Sequence, residues 1–381
     1  MVAVLPQTEA MRPAQLDAVT VEKGPKGRVV KCFCDQEVSR SVVPHFKAKH
    51  PTEWQEWTET FVTLRGQGWP LKRIMRLFCA GNGPLLFSWT VIERAIRQDV
   101  EAGKLAYTPP PHRGIKRWAP EKFELERTTI WDFPRRGNWA VHSGDYRGNW
   151  PPQIPRNLIE RYTQPGDLVV DAFAGGGTTL IEAWLLGRPS IGLDLSKLAI
   201  QTVHAKLKEM ERLAVEDGSV QLNRDYRPKV LRANALRLST VLASKGIHPS
   251  SVKLICAHPP YLDSLQYTTD NEDDLALIHD PTVFCQRIFE FAREARAVLA
   301  PEGVCAVLIG DVRKKGRTFP LGLRTLDSFL AAGFVLDTIV VKTQHRDRSS
   351  EFYFSQNNGE MLMAHEYLFI LHRNSEATSK G

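Results

Sequence analysis

A glycine-rich turn between an apolar strand-like segment and a helical segment constrains the fold of this chain more than any other feature. The apolar segment 168–174 runs straight into Asp171-Ala172-Phe173-Ala174-Gly175-Gly176-Gly177-Thr178-Thr179, and a helical pattern follows over 180–186. A glycine turn at such a place lets a ligand approach the backbone at the carboxyl edge of a parallel sheet, beside a helix N-terminus. We therefore expect a cofactor to bind at this turn.

Seven short segments rich in Val, Ile and Leu follow one another from residue 168 onward. They are 168–174, 190–195, 230–235, 252–257, 304–309, 335–341 and 366–371. Most are separated by helical stretches, which is the order required by a largely parallel sheet with crossover helices. The sequence therefore predicts an α/β fold with a doubly wound, mostly parallel sheet of seven strands.

The positive charge of the chain lies entirely in its first part. Residues 1–150 hold 23 Lys and Arg against 16 Asp and Glu, whereas residues 151–381 hold 27 of each, and the net charge is +7. A basic half joined to a neutral half is typical of a protein whose first half binds a polyanion. The alternative is a basic surface that only keeps the protein in solution.

Composition and cysteine usage exclude several classes of protein. With 43% hydrophobic and 24% charged residues, disordered, collagen-like and disulfide-scaffold chains are disfavoured. A run of about 18 apolar residues, as a membrane span needs, does not occur, and Glu9, Arg12 and Asp17 interrupt the N-terminus where a signal peptide is apolar. The six scattered cysteines fit reduced thiols. We expect a cytoplasmic protein without a membrane partner.

Two cysteines and two histidines in the basic part are spaced like the ligands of a zinc finger. Cys32 and Cys34 are followed after ten residues by His45 and after four more by His50. Zinc prefers such tetrahedral sulfur and nitrogen ligands, although zinc fingers usually have two to four residues between the cysteines rather than one. The alternative is a zinc-free turn with Cys32 in the core and solvated histidines.

Helical periodicity continues through the rest of the basic part. The segments 71–78 and 88–97, separated by the turn 81–84, resemble a helix-turn-helix, with arginines such as Arg76, Arg94 and Arg97 on the polar faces. A helical bundle without a nucleic-acid role shows similar patterns. Arginines interleaved with aromatic residues follow, and these either bind nucleic acid or hold a loop through cation–π contacts.

The ends of the second, third and fourth strands carry further polar or rigid residues. Asp194, 23 positions after Asp171, suits a ribose diol, and Asn234 suits an adenine amine. The fourth strand ends in His258-Pro259-Pro260-Tyr261. A dinucleotide is disfavoured because Thr178 directly follows Gly177, so the Gly-x-Gly-x-x-Gly spacing is not met.

Two of these motifs together resemble the S-adenosylmethionine-dependent DNA amino-methyltransferases, which methylate N4 of cytosine or N6 of adenine. That family has a Phe-x-Gly-x-Gly-Thr-Thr cofactor loop and an Asp, Asn or Ser followed by Pro-Pro-Tyr, which here read 173–179 and 258–261. The likeness extends over residues 139–373. It implies a Rossmann-like methyltransferase sheet, S-adenosylmethionine as the cofactor and double-stranded DNA as the partner.

The resemblance also assigns site residues. The cofactor-binding residues that it implies are Asp171, Phe173, Gly175, Gly177, Thr178, Thr179, Asp194 and Asn234. The catalytic residues that it implies are His258, Pro259, Pro260 and Tyr261. The Pro259 carbonyl and the side chain of residue 258 would accept the two amine hydrogens, and Tyr261 would stack on a base flipped out of the duplex.

His258 departs from the family pattern, which has Asp, Asn or Ser at this position. A neutral imidazole accepts a hydrogen bond and an imidazolium does not, so activity is expected to fall below about pH 6.5, the ordinary histidine pKa. Because residue 258 is not acidic, we favour N4 of cytosine over N6 of adenine as the target.

The resulting interpretation is a site-specific DNA methyltransferase, with a cognate restriction endonuclease as a further partner. The alternatives are a non-catalytic DNA-binding protein with a vestigial methyltransferase fold, or an RNA amino-methyltransferase. The expected organisation is a flexible tail over 1–27, a zinc-finger-like and helix-turn-helix-like DNA-recognition region over 28–105, a basic aromatic connector over 106–138, the methyltransferase domain over 139–374 and a tail over 375–381. The oligomeric state is left open.

Overall fold

The structure is a computed structural model. It describes residues 18–24, 27–34, 36–38, 42–67, 69, 71–78, 89–106, 115–144, 146–262, 268, 273–314, 317–345, 361 and 363–373. The chain forms two compact units, Met1–Arg113 and Gly114–Gly381. Each unit has its own sheet and its own helices.

The first unit combines a small antiparallel sheet with helices. The strands are β1 (Thr20–Gly24), β2 (Gly27–Lys31) and β3 (Glu37–Val38), and they pair in the order β1-β2-β3. The helices are α1 (Val42–Lys49), α2 (Pro51–Gly66), α3 (Leu71–Leu77) and α4 (Trp89–Glu101). Strand β1 lies within the segment 1–27 that was predicted as a flexible tail, so ordered structure begins earlier than expected.

Aromatic side chains form the core of the first unit. Trp57 and Phe61 face inward from α2, and the Phe46 ring of α1 lies 4.9 Å from the Trp57 ring, between centroids. Helices α3 and α4 occupy the two segments predicted as a helix-turn-helix, but the turn between them lies outside the described residues. Arg97 was expected on a polar face and is instead only 5% exposed, because it lies on the inward side of α4 between the buried residues Ile96 and Val100.

The second unit is built on a mixed sheet of eight strands. The strands are β4 (Ile130–Trp131), β5 (Val169–Asp171), β6 (Ser190–Asp194), β7 (Lys229–Arg232), β8 (Val252–Ala257), β9 (Leu299–Ile309), β12 (Phe334–Thr343) and β13 (His365–Arg373). A separate hairpin pairs β10 (Val312–Lys314) with β11 (Arg317–Phe319). The order in the large sheet is β4-β12-β13-β9-β8-β5-β6-β7. Strands β5 to β9 are parallel, whereas β13 is antiparallel to both of its neighbours.

The predicted α/β fold is confirmed, and the predicted strand number of seven is wrong. The eighth strand, β4, pairs in parallel with β12 through Ile130 and Trp131. A strand of two residues has no periodicity that distinguishes it from a loop, so only its pairing reveals it. The seven expected strands are all present, five of them forming the parallel part of the sheet.

Helices cover both faces of this sheet, as a doubly wound fold requires. They are α5 (Gln153–Tyr162), α6 (Thr178–Leu185), α7 (Lys197–Asp217), α8 (Leu238–Ala243), α9 (Pro281–Val298) and α10 (Leu321–Ala331). Alternate residues of β8 show the two faces: Ile255 packs in the cluster formed with α8, α9 and α10, whereas Leu254 packs in the cluster formed with α5 and α6. The hydrophobic core is therefore split by the sheet into two layers.

Part of the predicted connector over 106–138 belongs to the second unit. Ile115 and Trp118 pack against the cluster around α6 and α7, and Trp118 Nε1 donates a hydrogen bond to Asp217 at 2.6 Å. The compact unit consequently starts at Gly114 rather than at the predicted residue 139. Of the helices in the described part of the chain, none combines the length and the apolar character that crossing a bilayer demands.

Candidate active site

A cleft opens at the carboxyl ends of the parallel strands. Strand β5 lies between β6 and β8, so the chain runs outward on one side through β6 and β7 and then crosses to β8 on the other. Such a reversal of strand order is where open α/β sheets bind ligands. The space in the cleft and its open mouth is about 620 Å³, part of which is open to solvent.

Four successive strand ends contribute to the lining of this cleft. Phe173 and Gly175 follow β5, Asp194 ends β6, Asn234 follows β7, and His258 follows β8. The sheet topology brings these strand ends to one edge of the sheet. Pro260 lines the cleft as well.

The glycine turn leaves β5 and enters α6 through left-handed backbone. Gly175 has φ of 47° and Gly177 has φ of 77°, a region that side chains with a Cβ rarely adopt. A Cβ on Gly175 would lie 3.2 Å from Cε1 of Tyr146. The turn therefore needs glycine both for its conformation and for the close approach of Tyr146, which also lines the cleft.

Asp171 lies beneath the turn rather than in the cleft lining. The residue is only 2% exposed, and its Oδ1 accepts a hydrogen bond from the Phe173 backbone N–H at 3.1 Å. Burial raises the pKa of Asp171 to about 7. Asp171 thus stabilises the turn from the buried side, through its hydrogen bond with the Phe173 N–H.

Asp194 connects the two strand ends on either side of the turn. Its Oδ2 accepts from the Gly175 N–H at 2.8 Å, and its Oδ1 accepts from the Ser196 N–H at 2.9 Å. The carboxylate is consequently held rigid at the cleft wall.

Asn234 is held in a similar way at the end of β7. Its Oδ1 accepts from the Leu236 N–H at 2.9 Å and so caps a short 3-10 helix, Ala235–Arg237. The side chain lines the cleft with its orientation fixed by that bond.

Gly177, Thr178 and Thr179 do not line the cleft, although the resemblance implies that they bind the cofactor. They form the N-terminal end of α6, where Thr178 Oγ1 donates to Asn149 Oδ1 at 2.7 Å and Thr179 is fully buried. The Thr178 side chain is therefore directed to Asn149 rather than into the cleft, and this bond holds the start of α6 in place.

The segment 136–150 lies over the glycine turn. Arg136 donates to the Asn149 carbonyl at 2.8 Å, and Trp139 Nε1 donates to the buried Glu182 of α6 at 2.6 Å. These bonds hold Tyr146 at the cleft and Trp150 against the His258 ring. The sequence pattern did not reveal this role because the segment has no strand or helix periodicity.

The charge of the cleft lining is acidic. Asp194, Asp273 and Asp274 contribute to it, and among the described residues no lysine or arginine does. A pyrophosphate group would be repelled by these carboxylates, whereas a cationic ligand would be attracted. Both the acidic lining and the spacing of the glycines therefore argue against a dinucleotide as the ligand of this cleft.

The loop after β8 places His258 between two aromatic side chains. The His258 ring stacks on Trp150 with 5.6 Å between ring centroids and 20° between planes. Its Nε2 lies 3.0 Å from the Tyr261 hydroxyl. Pro259 and Tyr261 do not line the cleft, and Tyr261 instead packs at the edge of the core.

Tyr261 is anchored to a buried ion pair on the sheet. Its hydroxyl donates to Glu366 Oε1 at 2.6 Å, and Lys342 Nζ donates to Glu366 Oε2 at 2.8 Å. Lys342 and Glu366 are directly paired residues of β12 and β13. The loop is thereby fixed to the antiparallel part of the sheet.

The protonation states within this network follow from its contacts. Burial acts to raise the pKa of Glu366, but the Lys342 charge and the hydrogen bonds from Lys342 and Tyr261 outweigh it, so the pKa is lowered. Burial lowers the pKa of His258 to about 4. Near neutral pH the site therefore holds a carboxylate at Glu366 and a neutral imidazole at His258.

The tautomer of His258 follows from the same network. Tyr261 has one hydroxyl proton, and it is directed to the Glu366 carboxylate, which can only accept. The contact between His258 Nε2 and the Tyr261 oxygen is then a hydrogen bond only if Nε2 carries the proton. His258 Nδ1 is left with a lone pair, as an acceptor requires.

Glu366 and Lys342 were missed by the sequence analysis. The available signal was a glutamate at the start of an otherwise apolar strand and a lysine just after another, since charged residues are rarely buried unless they are paired. Their pairing depends on the β12–β13 register, which the sequence does not show.

The four predicted zinc ligands lie together in the first unit. One ligand atom from each of Cys32, Cys34, His45 and His50 lies within 4.8 Å of the other three. Cys32 Sγ is 3.2 Å from His50 Nε2, and Cys34 Sγ is 3.6 Å from His45 Nε2. The sequence spacing therefore brought together a real cluster.

Comparison with known proteins gives matches to DNA methyltransferases. A family model described as "DNA methylase" matches residues 49–205. Type II methyltransferase M.BglI from Bacillus subtilis is 32% identical over 93 residues, which are 22% of this chain and 27% of that protein. Type II methyltransferase M1.MboII from Moraxella bovis is 34% identical over 101 residues, which are 25% of this chain and 39% of that protein.

A third relative, Type II methyltransferase M.MjaII from Methanocaldococcus jannaschii, is 33% identical over 66 residues, 17% of this chain and 12% of its own length. These matches thus span between 12% and 39% of the curated relatives. Among solved structures, a SAM-dependent methyltransferase from Methanosarcina mazei aligns with a TM-score of 0.35 and 16% identity over 57% of this chain and 96% of its own.

The matching segment contains the glycine turn and the end of β6, and the Pro-Pro-Tyr loop joins them at the same cleft. The family cofactor is S-adenosylmethionine, whose positive charge suits the acidic lining. On this combined basis, the chain is similar to DNA methyltransferases of the N4/N6 type, with the family model matching residues 49–205.

Proposed function

We propose that this chain is a DNA methyltransferase that moves a methyl group from S-adenosylmethionine to the exocyclic amine of a flipped base. The observation that carries the proposal is the position of His258, a neutral hydrogen-bond acceptor at the rim of the cleft where the glycine turn lies. An acceptor at this place can hold an amine beside a ligand that occupies the cleft.

The cleft suits the cofactor in charge and in the polar residues that line it. S-adenosylmethionine, when bound there, supplies an electrophilic methyl group on a sulfonium. Asp194, at the cleft wall, would accept hydrogen bonds from the ribose hydroxyls, and Asn234 would contact the adenine. Asp273 and Asp274 add negative charge that favours the cationic end of the ligand.

His258 and Pro259 would hold the target amine. The exocyclic amine is conjugated with its ring, so its lone pair must be turned toward the methyl group. Two acceptors, His258 Nδ1 and the Pro259 carbonyl, each take one amine hydrogen and so fix that orientation. S-adenosylmethionine bound in the cleft would supply the methyl group for the new N–C bond and would retain the electron pair of the broken C–S bond, while one amine proton would leave to solvent.

The surroundings of His258 favour this role over proton abstraction. A pKa lowered to about 4 makes the imidazole a weak base. The hydrogen bonds from His258 Nε2 to Tyr261 and from Tyr261 to Glu366 place the only ring N–H on Nε2, so Nδ1 carries no proton. Catalysis then depends on position rather than on general base strength. Trp150 limits the ring to one plane by stacking on it.

We favour N4 of cytosine as the target amine, because His258 provides a neutral acceptor in place of a carboxylate. A base inside a duplex cannot bring its amine to the cleft, so the target must be flipped out. Tyr261 is available as the stacking partner only through its ring, since its hydroxyl is held by Glu366.

We assign sequence recognition on double-stranded DNA to the basic first unit, where Arg76 and Arg94 are exposed on α3 and α4. The matched relatives carry the name Type II methyltransferase, which supports a role in a restriction-modification system with a cognate endonuclease. Exposed arginines there would contact phosphates and so set the register and orientation of the first unit on the duplex, while other residues of this unit would contact the bases.

The experiment that tests the proposal expresses the full chain in a host without DNA methylation. The host DNA is then sequenced by a method that separates 4-methylcytosine from 6-methyladenine, and His258→Ala serves as the matched control. We expect 4-methylcytosine at one short sequence, and a loss of modification in the variant.

Purified protein with labelled S-adenosylmethionine distinguishes the alternatives. Transfer to duplex DNA supports the proposal, whereas transfer to tRNA alone would identify an RNA enzyme. Cofactor binding by calorimetry without transfer to any nucleic acid would leave a non-catalytic DNA-binding protein.

A further inference from the structure

The cluster of two cysteines and two histidines in the first unit is not used by the proposed reaction. Its four residues come from two neighbouring structural elements. Cys32 and Cys34 lie in the connection between β2 and β3, where the Cys32 N–H donates to the Gln36 carbonyl at 3.0 Å. His45 lies within α1, and His50 lies at the junction of α1 and α2.

The backbone fixes the second histidine at that junction. The His50 N–H donates to the Phe46 carbonyl at 2.9 Å, and the His50 carbonyl accepts from the Trp54 N–H at 3.0 Å. His50 therefore closes α1 and opens α2, and its side chain returns toward the β2–β3 connection. A two-stranded hairpin followed by a helix is also the arrangement of zinc fingers with two cysteines and two histidines.

The distances between ligand atoms match a tetrahedral ion. Metal–sulfur bonds of about 2.3 Å and metal–nitrogen bonds of about 2.0–2.1 Å give tetrahedron edges of roughly 3.3–3.8 Å. The two sulfur–nitrogen edges between Cys32 and His50 and between Cys34 and His45 are 3.2 and 3.6 Å, and every edge is within 4.8 Å. One ion at the centre reaches all four atoms after small shifts.

Aromatic side chains surround the cluster. The Phe33 ring lies 4.2 Å from the His50 ring, and the Phe46 ring lies 5.6 Å from it, between centroids. Cys32 is only 4% exposed. Buried thiol and imidazole groups that converge in this way have few partners other than one another, and a shared cation satisfies all of them.

We propose that Cys32, Cys34, His45 and His50 bind one structural zinc ion. Two thiolates and two imidazoles are a ligand set that zinc prefers over magnesium or calcium, which take oxygen ligands. All four positions are occupied by protein, so the ion has no open position for a substrate. The two thiols lose their protons on binding, and no oxidation or reduction takes place.

The ion joins the β2–β3 connection to the junction of α1 and α2. The three-stranded sheet of the first unit is small, and β3 has only two residues, Glu37–Val38. Sheets of this size bury little apolar surface, and a metal ion commonly compensates for it. The one-residue spacing of Cys32 and Cys34 is accommodated because both lie in the same tight connection.

The test begins with the full chain purified without chelators or affinity metals. We expect one zinc ion per chain by plasma mass spectrometry. Replacement of zinc by Co²⁺ should give the strong visible absorption of a tetrahedral site and a thiolate-to-cobalt charge-transfer band. A wild-type chain without stoichiometric zinc and without that absorption would overturn the proposal.

Two variants of one ligand sharpen the test. Cys34→Ser should reduce the zinc content from one ion per chain to nearly none, whereas Cys34→His should retain zinc and weaken the thiolate charge-transfer band of the cobalt form. Cys285→Ser, which changes a half-buried cysteine of α9 in the second unit, is the matched control and should leave both readouts unchanged.

If Cys34→Ser does not fold, the cobalt spectrum of Cys34→His still decides the matter. A charge-transfer band identical to that of the wild type would contradict ligation by Cys34. Equal zinc content in wild type and folded Cys34→Ser would contradict it as well. Neither result depends on methyl transfer, so the zinc site and the proposed reaction can fail separately.

Discussion

The Tyr261 hydroxyl donates a 2.6 Å hydrogen bond to Glu366, a residue 105 positions later in the chain. This bond commits the only hydroxyl proton of Tyr261, and the His258 Nε2–H then points to the Tyr261 oxygen. The consequence is an imidazole whose Nδ1 lone pair is available for a donor. Tyr261 and Glu366 are positioning residues for His258 in this arrangement.

Tyr261→Phe tests the chain of hydrogen bonds from His258 through Tyr261 to Glu366. The variant keeps the ring but removes the hydroxyl, so the His258 tautomer is no longer selected. Because one hydrogen bond contributes about 1 kcal/mol, we expect kcat to fall roughly 5-fold. Single-turnover methyl transfer measures the rate, and calorimetry should show unchanged affinity for S-adenosylmethionine. Tyr226→Phe, a substitution far from the Pro-Pro-Tyr loop in sequence, is the control, and an equal loss there would refute the role of this chain of hydrogen bonds.

His258 variants separate acceptor chemistry from simple packing. Asn provides an amide oxygen as acceptor and should retain measurable activity, whereas Ala provides none and should lower kcat on the order of 100-fold. Labelled methyl transfer at saturating cofactor and DNA measures both variants. If His258→Ala were as active as His258→Asn, the side chain at this position would have no part in holding the amine.

The pH dependence of activity should reflect the burial of His258. Burial lowers its pKa to about 4, so the neutral acceptor persists as pH falls from 8 through 6.5, and only near pH 4 does the imidazolium form. The expectation from an ordinary histidine, a fall below about pH 6.5, is therefore revised downward. We expect kcat to show no step near pH 6.5 that depends on residue 258.

The control for this profile is His258→Asn, which does not titrate in this range. Circular dichroism at each pH checks that the fold persists. A step near pH 6.5 that is present in the parent and absent from His258→Asn would show that the imidazole is more exposed to solvent than the structure indicates.

Asp171 should make the stability of the second unit depend on pH. Burial raises its pKa from 3.8 to about 7, so the folded state favours the protonated form. The associated stability is present below pH 3.8 and is lost as the pH rises through 7. Asp171→Asn keeps an acceptor for the Phe173 N–H and never ionises.

We therefore expect Asp171→Asn to unfold at higher urea concentration than the parent at pH 8.5, by up to about 4 kcal/mol in free energy, with a much smaller difference at pH 5. Asp225→Asn, at an exposed position, is the control and should change neither value. A variant less stable than the parent at pH 8.5 would contradict the buried, largely neutral Asp171.

DNA affinity should depend on the exposed arginines of α3 and α4. Replacing Arg76 and Arg94 together by Ala should weaken DNA binding and lower the slope of log K against log salt by about 0.9 for each phosphate that is no longer neutralised. Fluorescence anisotropy at several salt concentrations measures the slope. Lys208→Ala, an exposed change on α7, is the control. An unchanged slope for the arginine variant would contradict the proposal that Arg76 and Arg94 of the first unit contact DNA.

Much of the fold followed from local patterns. The apolar segments and their helical separators predict a parallel sheet, and the carboxyl ends of neighbouring strands must meet at one edge, so Phe173, Asp194, Asn234 and His258 were correctly placed together. Strand β4 was not predicted because a segment of two residues has no periodicity. The antiparallel direction of β13 was not predicted because strand direction depends on pairing between distant segments.

The distribution of roles within the site depended on tertiary contacts. The glycine motif marks a ligand turn, but only the structure places Asp171 below it and Thr178 and Thr179 against other segments. The exposure of a side chain depends on which segments cover it, and those segments are distant in the sequence.

The α/β class, the glycine and Pro-Pro-Tyr motifs and the four residues of the cysteine–histidine cluster follow from the sequence alone, because each of them depends on the spacing of nearby residues. Only the tertiary structure decides the protonation and tautomer of His258. Those depend on burial and on Glu366 and Lys342, which the register of β12 and β13 brings to the loop from far along the chain. Electrostatic free energies depend on distance in space, and separation along the chain does not give that distance.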